Sequence, residues 1–370
     1  MNPNKTTPLY LTRFLAAYSV LIVHYCPQSW RDSLPMIRHF GEPVHYFFFI
    51  SGFVMIISST KCFNFNTKLI NFDKRNFWIR RVARIYPMYI FALFIFVLYN
   101  YTVKEVDSSI PKRILPEILG INRWIYSGSI NYPSWTVSCE FLFYFLFPFS
   151  LPLLIKSSLS RLSTIILVLF AINVLFTFFY DKNLQILLSA NPSYLYQTLI
   201  NSIFLHPIFK YTIFLFGCLA GRFYLVSPKM LYVEKYSVLI FIMCLSIIFV
   251  FYKYPIVNDM FFSTGFLSVI YFFLTLSVCS FSGSLLRILS CKPFIFLGEI
   301  SYGIYIMQAP VEHYFESIFT GGKPCTTSAE FLSYTLLLIA ICWILYYTFE
   351  IPAKNIIINR FINKPAKLSK

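Results

Sequence analysis

Apolar runs of 16 to 21 residues alternate with short polar stretches along nearly the whole chain. The runs fall at 9–26, 44–59, 85–103, 135–155, 162–180, 211–226, 236–252, 261–281, 294–314 and 330–350. A helix needs about 20 apolar residues to cross a bilayer, and several runs are a little shorter. The pattern predicts an all-α, polytopic transmembrane bundle of about ten spans. A further apolar stretch, 194–209, is interrupted by His206-Pro207 and reads as a re-entrant or interfacial piece. The longest stretch between runs on the outer side, about 104–134, is too short to fold alone. Residues 1–370 are therefore expected to form one integral membrane domain with no soluble domain. No internal repeat or low-complexity tract is visible.

Composition supports this reading. Of the 370 residues, 58% are hydrophobic, 20% are aromatic and 12% are charged. A soluble chain carries about 25% charged residues. The net charge of +16 raises nucleic acid as a partner. The charges, however, sit in bursts between apolar runs, as loop charges that set orientation do, so nucleic acid is not expected. With the N-terminus inside, one face collects 21 of the 31 Lys and Arg residues. That excess marks the cytoplasmic side, and an even span count places both termini there. Arg13 and His24 lie within the first run, unlike the core of a cleavable leader, so none is expected. The nine cysteines include no CxxC pair and read as small hydrophobes.

Titratable groups inside apolar runs are costly and mark candidate chemistry. Arg13 and His24 are eleven residues apart, about 16 Å along a helix and near one face. Arg13 also reads as a positive-inside anchor. His24 reads either as an interfacial or hydrogen-bonded helix-end histidine or as a reactive group, since imidazole is the side chain best suited to general-base work near neutral pH. The segment NFWIRRVARIYP brings Arg80, Arg81 and Arg84 to the mouth of the third run. Arg81 and Arg84 share a helical face and form a candidate phosphate clamp, with topology signalling as the alternative. In the fourth run, Ser134, Ser138, Glu140 and Tyr144 lie in the outer half. A carboxylate there must be paired, protonated or reactive. In the ninth run, Glu299, Tyr302, Tyr305 and Gln308 recur at helical spacing, where packing is an equal reading for the tyrosines. Glu350 reads as interfacial. His24, His39, His45, His206 and His313 do not show metal-ligand spacing, so no metal is expected. No P-loop, G-x-G-x-x-G, HExxH or G-x-S-x-G occurs.

Five ordered motifs carry a resemblance over nearly the whole chain. They are Arg13…His24, then Phe48-Phe49-Ile50-Ser51-Gly52-Phe53, then Arg81-x-x-Arg84-Ile85-x-Pro87. The fourth is Trp135…Ser138-x-Glu140-x-x-x-Tyr144, and the fifth is Ser301-Tyr302-x-x-Tyr305-x-x-x-x-Pro310. The chain resembles acyltransferase family 3, membrane enzymes that O-acylate bacterial surface polysaccharides and other extracytoplasmic acceptors. The resemblance implies about ten helices, acetyl-CoA as co-substrate with no permanently bound cofactor, a catalytic histidine at His24 and a donor role for Arg81 and Arg84. Glu140 falls in the family's Ser-x-Glu motif. Two departures stand out. Gln308 occupies a place where the family often has histidine, and His45 replaces an acidic or small residue. Some relatives carry an attached hydrolase-like domain that takes over the acetyl group. None is visible here, so the chain is expected to complete the transfer itself.

The expected function is an O-acetyltransferase of the bacterial inner membrane. It would move acetyl from cytoplasmic acetyl-CoA to a sugar hydroxyl of a periplasm-facing glycan such as O-antigen, lipopolysaccharide or capsule. Arg13, Arg81 and Arg84 are expected to bind the donor. His24 would act as general base or acyl relay, oriented by Glu140. Ser138, Tyr144, Tyr302 and Tyr305 would contact the acceptor or the oxyanion. Expected partners are acetyl-CoA, a surface or lipid-linked glycan, membrane lipids and, as an option, a second copy forming a homodimer. The alternative is a polytopic glycan or lipid transporter or flippase; the paired, broken repeats frequent in transporters are not seen.

Overall fold

A computed structural model describes residues 3–60, 63–64, 69–103, 110–126, 128–190, 206–227, 229–254, 261–262 and 264–362. The helices that build the bundle are α1 (Leu9–Tyr25), α2 (Val44–Ser59), α3 (Lys74–Thr102), α4 (Ile110–Ile118), α5 (Trp135–Lys156), α6 (Leu159–Ala190) and α7 (Pro207–Val226). They continue with α8 (Ser237–Lys253), α9 (Ser268–Val278), α10 (Gly283–Leu289), α11 (Lys292–Phe319), α12 (Ser328–Leu345) and α13 (Ile351–Phe361). Among the described residues, the fold is all-helical apart from a two-residue antiparallel pairing of Phe63–Asn64 with Leu69–Ile70.

Helix stands at every predicted run, with three differences. Among the described residues, six helical stretches are long and apolar enough to cross a membrane: Lys74–Thr102, Tyr132–Lys156, Leu159–Phe179, Pro207–Val226, Lys292–Phe319 and Ser328–Phe361. The pair α9 and α10, bent by 108°, makes a seventh if counted as one span. Three predicted runs are shorter apolar helices, α1, α2 and α8.

The third run starts eleven residues earlier than its apolar pattern. Asp73 caps α3 by accepting the Asn76 N–H at 3.0 Å, so the helix takes in the whole arginine segment. The last run continues through a π-helical turn, Tyr346–Glu350, into α13. Of the stretch 194–209, only 206–209 is described; there His206 caps α7 and Pro207 occupies its first turn.

The bundle buries a large apolar core, yet apolar side chains also cover its outer surface, unlike that of a water-soluble protein. Ile172, Leu175 and Phe179 on α6 are 56%, 65% and 69% exposed, whereas Ser134, Ser138, Asn131 and Ser301 are fully buried. Apolar side chains face outward where lipid would be, and hydroxyls and amides pair inside.

Close helix contacts fix the middle of the bundle. Gly52 of α2 and Gly217 of α7 face each other. A Cβ on Gly52 would enter the Phe214 carbonyl, and one on Gly217 would enter the Phe49 carbonyl. Only hydrogen at both positions lets the backbones approach so closely. Phe48, Phe143 and Phe214 fill the space beside this crossing, with Phe48 and Phe143 edge to face at 5.2 Å.

Candidate functional site

Three cavities that share lining residues stand one after another beside α1 from Arg13 to His24. The first has a volume of about 210 Å³ and is lined by Arg13, Ser51, Arg81, Arg84, Glu140, Tyr144 and Tyr302, among others. A neck of about 50 Å³ follows, sharing Arg13, Glu140 and Tyr302 with the first cavity and adding Thr136 and Tyr305. The third cavity, about 410 Å³, shares Tyr305 and Val44 with the neck and contains His24. Arg13 and His24 stand three turns apart on one helix, so α1 forms one wall of the whole passage.

In the first cavity, Arg81 lies over the rings of Phe77 and Tyr144, at 5.4 and 5.9 Å. Its Nε is buried without a hydrogen-bond partner. Arg84 is exposed at the mouth. Tyr144 hydrogen-bonds Glu140 and Ser51. Arg13, Arg81 and Arg84 surround Glu140, and Glu350 in the π-helical turn also faces Arg84 and Arg13. Glu350 is thus part of the arginine cluster rather than a plain interfacial residue. Tyr302 donates to the Ile85 carbonyl at 3.0 Å, tying α11 to α3 beside Arg84.

In the third cavity, the ring of His24 packs edge-on against Tyr132, with centroids 4.9 Å apart. Its nitrogens have no side-chain hydrogen-bond partner among the described residues. The His24 backbone carbonyl accepts from Arg31 at 2.9 Å. Arg38, Glu42, His45, Arg123, Trp135, Lys210 and Gln308 complete the walls relevant here. His45 Nδ1 is 3.0 Å from Glu42 Oε2. Gln308 donates to the Tyr305 carbonyl at 2.9 Å, and its Oε1 is buried and unpartnered.

The structure therefore separates residues that sequence placed together. Glu140 sits among the arginines at one end of the passage, and His24 stands at the other. An i, i+4 pattern shows that Glu140 and Tyr144 share a face, but not which neighbouring helix that face meets.

Ser138 lines none of the three cavities. Its hydroxyl donates to Asn122 Oδ1 and accepts the Arg123 N–H at 3.4 Å, and its carbonyl accepts Trp124 Nε1 at 3.0 Å. Ser138 thus pins the turn Asn122–Ile125 to α5. Tyr305, by contrast, lies between the neck and the His24 cavity and hydrogen-bonds Thr136.

Lys210, Arg123 and Glu42 were not singled out from sequence. Lys210 carried a signal, since a lysine within the first turn of an apolar helix is costly unless it faces a polar space. Arg123 and Glu42 sit in polar connections, where nothing marks them.

The helical segment Tyr132–Ser134 that brings Tyr132 to His24 is held by Glu117 of α4. Glu117 accepts from the Ser134 hydroxyl and from the Ile130 N–H at 3.3 Å, and its backbone carbonyl accepts from Tyr89. Burial pushes the Glu117 carboxyl up to about 7 against these hydrogen bonds and the nearby Arg113.

A separate group lies toward the end of α11. Ligand atoms of Glu312, His313 and Glu316 fall within 4.8 Å of one another. Histidine spacing alone did not reveal this mixed set, because two of its three members are carboxylates.

Helices with lipid-type surfaces around a polar internal passage define a multi-pass membrane protein. The family profile for an acyltransferase domain, that of acyltransferase family 3, matches residues 9–347, and the chain belongs to that family. It is also similar to acyltransferase MdmB of Streptomyces mycarofaciens, with 30% identity over 164 residues. That match covers 40% of this chain and 40% of the length of MdmB. No solved structure matches the chain.

Proposed function

We propose that this protein is a membrane O-acetyltransferase that takes acetyl from acetyl-CoA on one side of the bilayer and delivers it to a glycan hydroxyl on the other. The observation that carries this reading is the passage itself, with an arginine-lined mouth at one end and an unpartnered imidazole at the other. We place ten crossings in the bacterial inner membrane, with both termini cytoplasmic and one domain over residues 1–370. Helix at all ten apolar runs and the lysine and arginine bias support that placement.

In this reading Arg84 and Arg81 hold the phosphates of acetyl-CoA at the cytoplasmic mouth, with Arg13 deeper in. Paired guanidiniums suit phosphate oxygens, and the unpartnered Arg81 Nε offers a donor. Glu140 and Tyr144 brace the arginines rather than the histidine. The pantetheine arm passes the neck beside Tyr302 and Tyr305 and presents its thioester near His24. A sugar hydroxyl in the outer cavity loses its proton to His24 Nδ1 or Nε2 as its oxygen attacks the thioester carbonyl. The C–S bond breaks, and the CoA sulfur leaves with the proton carried by the imidazole. Tyr305 and Gln308 line the cavity within which the oxyanion would develop.

The test is acetyl transfer and CoA release by purified protein reconstituted in vesicles. His24→Ala should abolish transfer while acetyl-CoA binding persists. Full transfer by His24→Ala would overturn the assignment. Translocation of glycan without CoA release would make the protein a transporter.

A further inference from the structure

We propose that the apolar groove between α3 and α13 holds an acyl chain of an anionic phospholipid, whose headgroup phosphate meets Arg360 with Lys354 nearby. This second site shares no lining residue with the passage and is independent of the transfer reaction proposed above.

The groove has a volume of about 460 Å³. One wall is Ile90, Phe91 and Phe94 of α3, and the other is Phe349, Ile356 and Ile357 at the end of the last helical stretch. Phe91 and Phe349 meet inside it with ring centres 5.0 Å apart. The one hydroxyl in its lining, on Tyr86, already donates to the Ile118 carbonyl at 3.1 Å. An occupant finds no polar partner there, which suits a hydrocarbon chain and excludes a sugar or a nucleotide. Phe94 and Ile356 are 60% and 65% exposed, so the groove opens sideways, where lipid surrounds the bundle.

Charge selects the lipid. Residues 351–370 contain Lys354, Arg360, Lys364, Lys367 and Lys370 and no Asp or Glu. Ala353, Ile356 and Ile357 line the groove, and Arg360 follows one turn later on the same face of α13. Arg360 is exposed and makes no ion pair among the described residues. Lys354 is exposed too but lies near Glu350, so Arg360 is the main anchor and Lys354 an auxiliary one. A chain seated in the groove brings its phosphate to a guanidinium that can hold it with two N–H groups. Basic clusters at the end of a membrane helix attract anionic headgroups in this way, and zwitterionic ones far less. Phe349 belongs to the π-helical turn, and Glu350 beside it faces Arg84. The lipid thus braces a turn at the edge of the arginine cluster.

Native mass spectrometry of the full-length protein in detergent tests the site. Phosphatidylglycerol and phosphatidylcholine with identical acyl chains are titrated in, and bound lipid is counted. Phosphatidylglycerol should bind about tenfold more tightly, the scale expected for two cations beside one anionic headgroup. Lys354→Gln combined with Arg360→Gln, both at exposed positions, should bring the two lipids within about twofold of each other. Ile357→Trp, which fills the groove, should weaken both lipids by about fivefold or more. Glycerol 3-phosphate at the same concentration should displace neither, because it lacks the chain.

Equal binding of the two lipids would overturn the proposal. So would a preference that survives loss of Lys354 and Arg360, or binding untouched by Ile357→Trp. Displacement by glycerol 3-phosphate would reduce the site to a surface phosphate contact and also overturn it. A lipid-free dimer that Ile357→Trp dissociates would assign the groove to a second copy of the chain instead. Acetyl transfer is a separate measurement, so failure of this site and failure of the transfer reaction are distinct results.

Discussion

Glu140 hydrogen-bonds Tyr144 one turn along α5, and the pair faces the arginines of α1 and α3 instead of His24. This contact assigns the carboxylate to the mouth of the passage. Glu140→Gln preserves the size and the Tyr144 contact but removes the charge that the three arginines share. The expected result is a change of about tenfold in KM for acetyl-CoA, close to 1.4 kcal/mol, with an unchanged pH profile for transfer. A displaced acid limb in that profile would show that Glu140 acts on the histidine after all.

The arginine mouth has its own signature. Arg81→Ala combined with Arg84→Ala should weaken acetyl-CoA binding by roughly 100-fold, as expected for loss of two charge-assisted contacts. Arg81→Lys should recover little of this, because an ammonium cannot reproduce a guanidinium fork seated over Phe77 and Tyr144. Isothermal titration with acetyl-CoA measures both. Unchanged affinity in the double variant would remove the clamp from the mechanism.

The neck should be separable from both of its ends. Thr136 is 7% exposed and faces the narrowest part of the passage with Tyr305. Thr136→Trp should block the thioester from reaching His24. Transfer should fall at least about 100-fold while acetyl-CoA affinity stays within about threefold, since the phosphates bind before the neck. Parallel loss of both would place donor binding beyond the neck.

Glu117 makes a pH prediction. Its folded-state carboxyl is raised from 4.5 to about 7, so the native state holds a proton that the unfolded chain releases. The stability this contributes is present at acid pH and is lost as pH rises through about 7, in total on the order of 3 kcal/mol. Thermal unfolding in detergent should therefore fall between pH 5 and pH 8 in the wild type, flanking the range in which Glu117 titrates. Glu117→Gln should flatten that dependence. An identical slope in the variant would assign it to another group.

The α2–α7 crossing gives a stability test. Gly217→Ala places a methyl group against the Phe49 carbonyl. Overpacking of this kind typically costs about 1–3 kcal/mol. The variant should melt several degrees lower in detergent, read by size-exclusion chromatography after heating. Wild-type melting would mean the helices separate there at little cost.

Much of the architecture was legible along the chain. Each apolar run became a helix because a helix satisfies its backbone within the segment, so the information is local. Errors fell at the ends. The start of α3 was misplaced because Asp73 caps a segment whose arginines break the apolar pattern. The bend between α9 and α10 falls at 279–282, at the end of the 261–281 run, and α10 lies beyond it, where the apolar pattern carries no signal of a turn.

Arg13, His24, Arg81, Arg84 and Glu140 stood out by themselves, because a charge among apolar neighbours is costly wherever the helix packs. Their grouping was a different matter. Whether Glu140 meets His24 or the arginines depends on how α5 is rotated against α1 and α3. The α2–α7 crossing beneath them is set by Gly52 and Gly217, which are 165 positions apart. Ser138 looked like a site residue by position, yet it supports the turn that carries Arg123. Lys210, Arg123 and Glu42 came into the His24 cavity from three separate parts of the chain. The sequence alone determined the helices and most of the charged cast, since propensity and burial cost act within a few residues. Only the tertiary structure decided which charges share a cavity, because that depends on packing between helices far apart in the chain.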